Sequence, residues 1–182
     1  MSRVFEDEFM EWHASIIGLC QEVVGDKLNK LDKLYAHCLM ESCETSFDAF
    51  FSVHGKVLTA GDLEIPLDLQ GRFLDLGRED MDQIEKVCKK YGKPCPTEIR
   101  MVYDVKTRAM EVSYRYEDYP DDFFDAYEKD DVIDAYDYWI KEVDPTYEIL
   151  GKKRSLEEIL RTGSEKQVKQ NNKFRFPFFW KK

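Results

Sequence analysis

Two short segments, 98–105 and 110–116, place the strongest constraint on how this 182-residue chain can fold. In the first segment, apolar side chains occupy alternate positions: Ile99, Met101 and Tyr103. Such alternation is typical of a β-strand with one buried face. Because only residues 106–109 connect the two segments, the strands must be antiparallel neighbours in one sheet.

Three earlier segments show a similar alternation of apolar residues. They cover residues 34–40, 47–53 and 57–60, with polar or glycine-containing turns at 41–46 and 54–56 between them. Each segment is therefore predicted to form a strand. Together with the pair above, they predict a mostly antiparallel sheet of about five strands.

Apolar residues spaced three and four apart predict helices elsewhere in the chain. These helices cover residues 4–24, 79–91, 133–143 and 155–163. Residues 61–77 contain Pro66 and three glycines, which predicts a loop. The order of elements predicts an α+β fold with helices packed on one face of the sheet. We expect a single domain over 1–150, followed at 151–182 by a short helix and a basic, aromatic C-terminal tail.

Composition excludes several classes of protein. Hydrophobic residues make up 43% of the chain and aromatic residues 14%, which is more than a disordered chain carries. No apolar run reaches the roughly 18–20 residues of a membrane span, and the N-terminus lacks the order of a signal peptide. The five cysteines form no CxxC pair, which argues against a zinc site or a disulfide framework. We therefore expect a cytoplasmic protein.

Acidic residues are concentrated between residues 117 and 144, a stretch that we call the acidic segment. It holds twelve acidic residues and two lysines, so its charge of −10 equals the formal net charge of the whole chain. Residues 152–182 carry +7. The excess negative charge is thus a local property of one segment.

Recognisable catalytic motifs are missing from the sequence. It contains neither a glycine-rich phosphate loop nor a GxSxG nucleophile elbow. Adjacent acids such as Asp121 and Asp122 could bind a divalent cation, but neighbouring side chains on a helix point apart and make poor joint ligands. We expect no enzymatic activity, no metal and no cofactor.

The acidic segment has two interpretations. Most charge runs are solvated, solubilising faces. Here few lysines at i,i+4 relieve the repulsion, and aromatic residues alternate with the acids, which favours a surface that binds a basic partner. The candidate partner-binding residues are Asp121, Asp122, Asp125, Glu128, Asp130, Asp131, Asp134 and Asp137. The basic tail could contact nucleic acid, but packing on its own domain or on a second subunit fits an acidic protein better.

Several local runs resemble the YezG-like family. They are residues 91–94 (Tyr-Gly-Lys-Pro), residues 96–99 (Pro-Thr-Glu-Ile) leading into the paired strands, residues 110–118, and an acidic helix that contains Trp139 near its end. Members of that family are small bacterial immunity proteins, or antitoxins, which bind and neutralise a cognate secreted toxin that is often a nuclease. The resemblance covers residues 5–143 and implies no catalytic residues.

The resemblance and the charge lead to one functional expectation. The chain would be an immunity protein that binds a basic toxin, a nuclease domain, through its acidic surface, without contacting nucleic acid or a membrane itself. The alternative is a non-enzymatic adaptor or structural protein whose acidic helix only improves solubility.

Overall fold

The structure is a computed structural model and describes residues 4–42, 45–120, 122–130 and 132–163, with the backbone alone at 128–130. Its strands are β1 (Lys33–Met40), β2 (Thr45–Val53), β3 (Lys56–Thr59), β4 (Glu98–Asp104) and β5 (Met110–Arg115). Its helices are α1 (Phe5–Val24), α2 (Leu67–Tyr91), α3 (Ala135–Val143) and α4 (residues 156–163), with 3-10 helices at Gly25–Lys30 and Phe124–Asp130. Within these residues, no helix combines the length and apolarity that a bilayer crossing requires.

The five strands form one sheet in the order β3-β2-β1-β4-β5, and every neighbouring pair is antiparallel. In the last pair, Met101 of β4 lies opposite Val112 of β5. The predicted α+β fold with a mostly antiparallel sheet of about five strands is therefore confirmed. The 105–109 turn joins β4 to β5 directly, as their short separation in sequence requires.

One face of the sheet carries the larger apolar core, covered by α1 and α2. Fully buried residues on it include Ile16 of α1, Ile84 of α2 and Phe51 of β2. The alternate residues Leu34, Ala36 and Cys38 of β1 point to this face, as the period of two in a strand requires. Helix α1 matches its predicted extent and ends at Gly25, whose positive φ of 54° suits glycine.

Helix α2 begins twelve residues earlier than predicted. The sequence predicted a loop over 61–77 and a helix only from 79, but the helix begins at Leu67, directly after Pro66. Proline is well tolerated at a helix start because its missing N–H would have no partner there. Phe73 and Gly77 are buried against the sheet and continue the apolar face of Met81 and Ile84 backwards. Gly71 and Gly77 are therefore helical. The predicted loop is right for residues 61–66 and wrong for residues 67–77.

The opposite face of the sheet is also covered, which the prediction of helices on one face did not include. Helix α3 lies there and packs Trp139 and Ile140 against Tyr35 of β1 and Phe50 of β2. The centroid of the Trp139 ring is 5.0 Å from that of Phe50 and 5.6 Å from that of Tyr35, and both pairs have edge-to-face geometry. We call this group the Trp139 cluster.

The chain after α3 closes over the outer edge of β3. The buried Asp144 carboxylate accepts a hydrogen bond from the Val57 backbone N–H (3.1 Å) and pairs with Lys56 and Arg154. Arg154 also donates to the Val57 carbonyl at 3.1 Å. Leu156 of α4 is then buried in the larger core. Residues 151–163 thus pack on the same domain, and the remaining tail, 164–182, lies outside the described residues.

Cysteines in the described residues are free thiols that serve as small apolar groups. Cys20, Cys38 and Cys88 are buried, and Cys95 is partly buried. Burial raises the pKa of Cys20 to about 12, so its thiol stays protonated and unreactive. Cys43 lies outside the described residues.

Candidate partner-binding surface

The structure describes only part of the predicted set of acidic residues. Asp121 and Asp131 lie outside the described residues, and at Glu128 and Asp130 only the backbone is described. The remaining four members fall into two pairs with different surroundings: Asp122 with Asp125, and Asp134 with Asp137.

Asp122 and Asp125 are exposed at the start of the 3-10 helix that spans Phe124–Asp130. Glu117 and Asp118, which precede them in the acidic segment, are exposed as well. Glu142 on α3 is also exposed but already pairs with Arg100 at 2.6 Å. Exposed carboxylates keep their hydration and their charge, so this group can attract a basic partner over a distance.

Asp134 and Asp137 instead hold the first turn of α3. The Asp134 carboxylate accepts from the Asp137 backbone N–H at 2.8 Å, and the Asp137 carboxylate accepts from the Ile133 N–H at 3.3 Å. The first bond is an N-cap, in which the Asp134 side chain satisfies a backbone N–H that the helix leaves unpaired. The second bond ties Asp137 to Ile133, the residue before the cap. Asp137 is only 7% exposed. Both residues therefore have a structural role that the charge count alone did not reveal.

Burial of these carboxylates changes how they titrate. Burial, reinforced by the nearby Asp134 carboxylate, raises the pKa of Asp137 to about 6. Burial likewise raises the pKa of Asp48 on β2 to about 6, and Asp134 again adds to the shift, while His37 opposes it. Helix α3 thus faces the sheet across carboxylates that are costly to ionise.

The aromatic residues of the acidic segment pack mainly on one another. Ring centroids 4.8 to 5.9 Å apart connect a five-ring cluster made of Tyr119, Phe123, Phe124, Tyr127 and Tyr138. All five rings are partly buried. Aromatic pairs at such distances attract one another beyond the effect of burial alone. The cluster gives the acidic segment a small core of its own beside the sheet.

Glu98, at the start of β4, connects that cluster to the sheet. Its buried carboxylate accepts hydrogen bonds from His37 Nε2 (2.8 Å), Arg100 Nε (2.8 Å), Arg115 Nε (3.1 Å) and the Tyr119 hydroxyl (3.0 Å). Burial alone would raise the pKa of Glu98, but the hydrogen bond from His37 and the charge of Arg100 outweigh it and lower the pKa to about 2. Glu98 is therefore ionised throughout the physiological range. We call these five residues the Glu98 network.

Contacts around the Glu98 network fix where the acidic segment leaves β5. Arg115 donates to the Glu117 carbonyl at 2.6 Å, and its guanidinium stacks 3.2 Å from the Tyr119 ring centroid. The Tyr119 backbone N–H donates to the Glu41 carboxylate at 2.7 Å. Charge-assisted bonds of this kind are among the stronger ones in proteins. The start of the acidic segment is thereby held against the sheet.

The sequence did not single out the Glu98 network, although a signal for it exists. On β4, Glu98 and Arg100 alternate with the core residues Ile99 and Met101, so both polar side chains point to the opposite face. A strand between two others buries both of its faces more often than an edge strand does. Opposite charges two positions apart on such a strand therefore indicate a buried ion pair.

Nothing in the described part of the chain resembles a metal centre: no three His, Cys, Asp or Glu side chains there are grouped so that they could hold an ion. A concavity of about 420 Å³ lies beside α4 and is lined by basic residues that include Lys56 and Arg154. Both bases are paired with Asp144, so they fasten the chain to β3. Among the described residues, the exposed acids of the acidic segment therefore remain the most distinctive surface feature, and the buried Glu98 network lies beneath the start of that segment.

Comparison with known proteins adds no assignment, since the sequence matches no protein-family model and no curated protein.

Proposed function

We propose that this protein is a non-enzymatic immunity protein that binds and neutralises a basic toxin, a nuclease domain, through the exposed part of its acidic segment. The proposal combines the local charge of −10 between residues 117 and 144 with the sequence resemblance to the YezG-like family. Its closest structural support is the contrast between the exposed Asp122 and Asp125 and the inward-packed rings beside them.

That contrast supports a prearranged binding surface. Because the five-ring cluster and the Glu98 network hold the segment from inside, Asp122 and Asp125 project from a positioned backbone. A surface that is already ordered loses less conformational entropy on binding than a free tail does. We therefore expect these two residues, with Glu117 and Asp118, to carry most of the electrostatic attraction.

Neutralisation would follow from competition for the same groove. A nuclease needs a positively charged surface to hold the phosphate backbone of its substrate. Carboxylates placed over that surface pair with the same lysines and arginines and exclude the nucleic acid. Complementary charge of this kind raises the association rate, and added salt screens it. The bound protein would need no chemistry of its own.

A co-expression rescue assay tests this function directly. Candidate nuclease toxins encoded next to the gene are expressed with the full-length protein, and cell survival and nuclease activity are measured. We expect the double variant Asp122→Asn/Asp125→Asn to weaken binding by about tenfold at low salt. The control variant Glu79→Gln/Asp82→Asn removes the same charge from exposed positions of α2 and should bind like the wild type.

Different outcomes separate the role from its mechanism. Suppose that the protein rescues cells but that its affinity for the toxin changes neither with salt nor with the Asp122→Asn/Asp125→Asn substitution. That result would support the immunity role and reject the acidic surface as the binding site. Absence of rescue against every neighbouring toxin would reject the role itself. The solubilising-face alternative would then account for the acidic segment, and it predicts that the double variant is less soluble but otherwise unchanged.

A further inference from the structure

The two edge strands of the sheet, β3 and β5, differ in whether other segments of the chain bond to their outward backbone groups. At β3, the outward N–H and C=O of Val57 are both bonded, to Asp144 at 3.1 Å and to Arg154 at 3.1 Å. The Thr59 N–H is bonded to the Asp62 carboxylate at 2.9 Å. Side chains thus occupy this edge, which is one way in which proteins prevent a foreign strand from pairing there.

The edge of β5 has no such cover within the described residues. The Asp104 N–H donates to the Ala109 carbonyl at 2.9 Å, so odd-numbered residues of β5 direct their backbone groups to β4. Even-numbered residues, Val112 and Tyr114 among them, direct their N–H and C=O groups outward. Among the residues that the structure describes, none bonds to those outward groups. Val112 and Tyr114 therefore form an open row of donors and acceptors.

Large apolar side chains are exposed beside this edge. On the α1 side, Met10 and Tyr114 are 38% and 36% exposed, and Tyr116, just beyond the end of β5, is 52% exposed. The Tyr114 hydroxyl lies 4.0 Å from the Met10 sulfur, so α1 forms one wall beside the strand. A bound strand could place alternate apolar side chains on this wall.

Acidic residues lie at the same end of the edge. Glu6 is exposed on α1 one turn before Met10 and on the same side of the helix. Glu117 and Asp118 are exposed just beyond the end of β5. Lys106 and Arg108 belong to the turn at the other end of the strand, and Arg115 is already paired with Glu41 and Glu98. The Tyr116 end of the edge is therefore negative.

We propose that β5 is a docking edge that accepts an extended, basic segment of the protein partner as a sixth strand. This proposal rests on the function proposed above and names how the partner binds. Main-chain hydrogen bonds to Val112 and Tyr114 supply affinity, apolar residues of the segment contact Tyr114 and Met10, and its lysines or arginines face Glu6 and Glu117. The exposed acids of the acidic segment then contact the body of the partner.

Charge complementarity favours a basic segment of the partner, rather than a second copy of this chain, as the strand that pairs with β5. Two copies joined edge to edge would bring together molecules of formal net charge −10 each, with Glu117 and Asp118 at the junction. Like charges at an interface cost affinity, whereas a basic segment gains from the same residues. A homodimer through β5 is accordingly an outcome that the test below must distinguish.

An amide NMR titration of the full-length protein tests the docking edge. The probe is a synthetic peptide of about eight residues with alternating lysine and valine, a length that matches an ordinary strand. Its twin carries N-methyl groups on alternate residues, which removes the donors needed for pairing. We expect the first peptide to slow hydrogen exchange at the Val112 and Tyr114 amides by about tenfold and the twin to leave it unchanged.

A protein variant provides the second measurement. Val112→Pro removes an outward N–H while leaving the pairing with β4 intact, since proline is tolerated on the free side of an edge strand. We expect Val112→Pro to lower peptide affinity about tenfold, whereas Val112→Ala keeps the N–H and stays close to the wild type. If Val112→Pro does not fold, the comparison between the two peptides still tests whether binding depends on main-chain hydrogen bonds.

The results also separate this proposal from the immunity role. Peptide binding that perturbs only Asp122 and Asp125, binding that survives Val112→Pro, equal binding of the methylated twin, or no binding would each overturn the docking edge. So would light scattering that finds a dimer which Val112→Pro makes monomeric. None of these outcomes bears on the rescue assay, whose failure would reject the role even if the peptide docks at β5.

Discussion

The face of the sheet under α1 and α2 is apolar from end to end, whereas the face under α3 is divided between the Trp139 cluster and the Glu98 network. On the first face the strands contribute residues such as Phe51, Leu58 and Met101, all fully buried. On the second face the buried His37 lies beside the Trp139 ring and pairs with the buried Glu98. The same strands supply both faces, because successive side chains point in opposite directions.

This difference assigns separate roles to the two faces. Apolar burial of the extent seen under α1 and α2 supplies most of the folding free energy in a domain of this size. A buried ionic network adds little net stability, because desolvation offsets much of the attraction. It does, however, hold groups in one geometry, and here it holds the start of the acidic segment. The first face thus maintains the fold and the second positions the candidate surface.

The largest effect is expected on the apolar face, at Gly77 of α2. A Cβ at this position would overlap the fully buried ring of Phe47, whereas a Cβ at Gly71 of the same helix meets no atom within 4 Å. We expect Gly77→Ala to lower the free energy of unfolding by about 2 kcal/mol through overpacking. Gly71→Ala should raise it by about 0.5 kcal/mol through helix propensity. Urea unfolding measures both, and equal effects would contradict the close packing of Phe47.

On the other face, the test of the Glu98 network is Glu98→Gln. The neutral amide leaves Arg100 and Arg115 without their shared carboxylate, so we expect a loss of about 2 kcal/mol at pH 7. Because folding lowers the pKa of Glu98 from 4.5 to about 2, wild-type stability should fall as pH drops through that window. The variant should lack this part of the pH dependence.

Glu111→Gln provides the matched control for the Glu98 experiment. Glu111 is exposed on the neighbouring strand β5, so its loss should change the free energy of unfolding by less than about 0.5 kcal/mol. Urea unfolding between pH 2 and 7 compares the three proteins. A Glu98→Gln protein as stable as the Glu111→Gln protein, with the Tyr119 amide signal unmoved, would show that the network does not hold the acidic segment.

The smallest effect concerns the carboxylates beneath α3. Folding raises the pKa of Asp48 from 3.8 to about 6, so stability falls as pH rises through this interval, where the unfolded chain has already released the proton, and the loss is complete above about pH 6. We expect wild-type stability to lose about 1 kcal/mol from this group as pH rises from 4 to 7, allowing for partial solvent screening. Asp48→Asn should recover that amount at pH 7 and gain little at pH 4. The control is Asp26→Asn at an exposed position, which should change the free energy of unfolding at pH 7 by less than about 0.5 kcal/mol.

Elements with a regular local pattern were predictable from the sequence. Helix α1, the strands and the β4–β5 pair agree with the alternation and spacing of their apolar residues to within one or two residues at most ends. The first half of α2 was not predictable in the same way. Glycine and proline lower the intrinsic preference for a helix, and only the burial of Phe73 and Gly77 against the sheet outweighs it.

The candidate site was predictable only as a concentration of charge. Counting acids located the acidic segment, but it could not separate exposed residues such as Asp122 from the buried Asp137, which is 7% exposed. That distinction depends on where α3 starts and on which face of the sheet it packs. Likewise, Glu98 and Arg115 are 17 positions apart in sequence and meet only through strand pairing.

By itself, the sequence determined the class of fold, the strand pairs joined by short turns and the position of the −10 charge, because each of these depends on neighbours along the chain. Tertiary structure alone decided the full length of α2, the Glu98 network and the coverage of the β3 edge by Asp144 and Arg154. It also left the outward groups of Val112 without a partner in the described residues. These features depend on burial and hydrogen bonding between distant segments, whose free energies exist only once the sheet has formed.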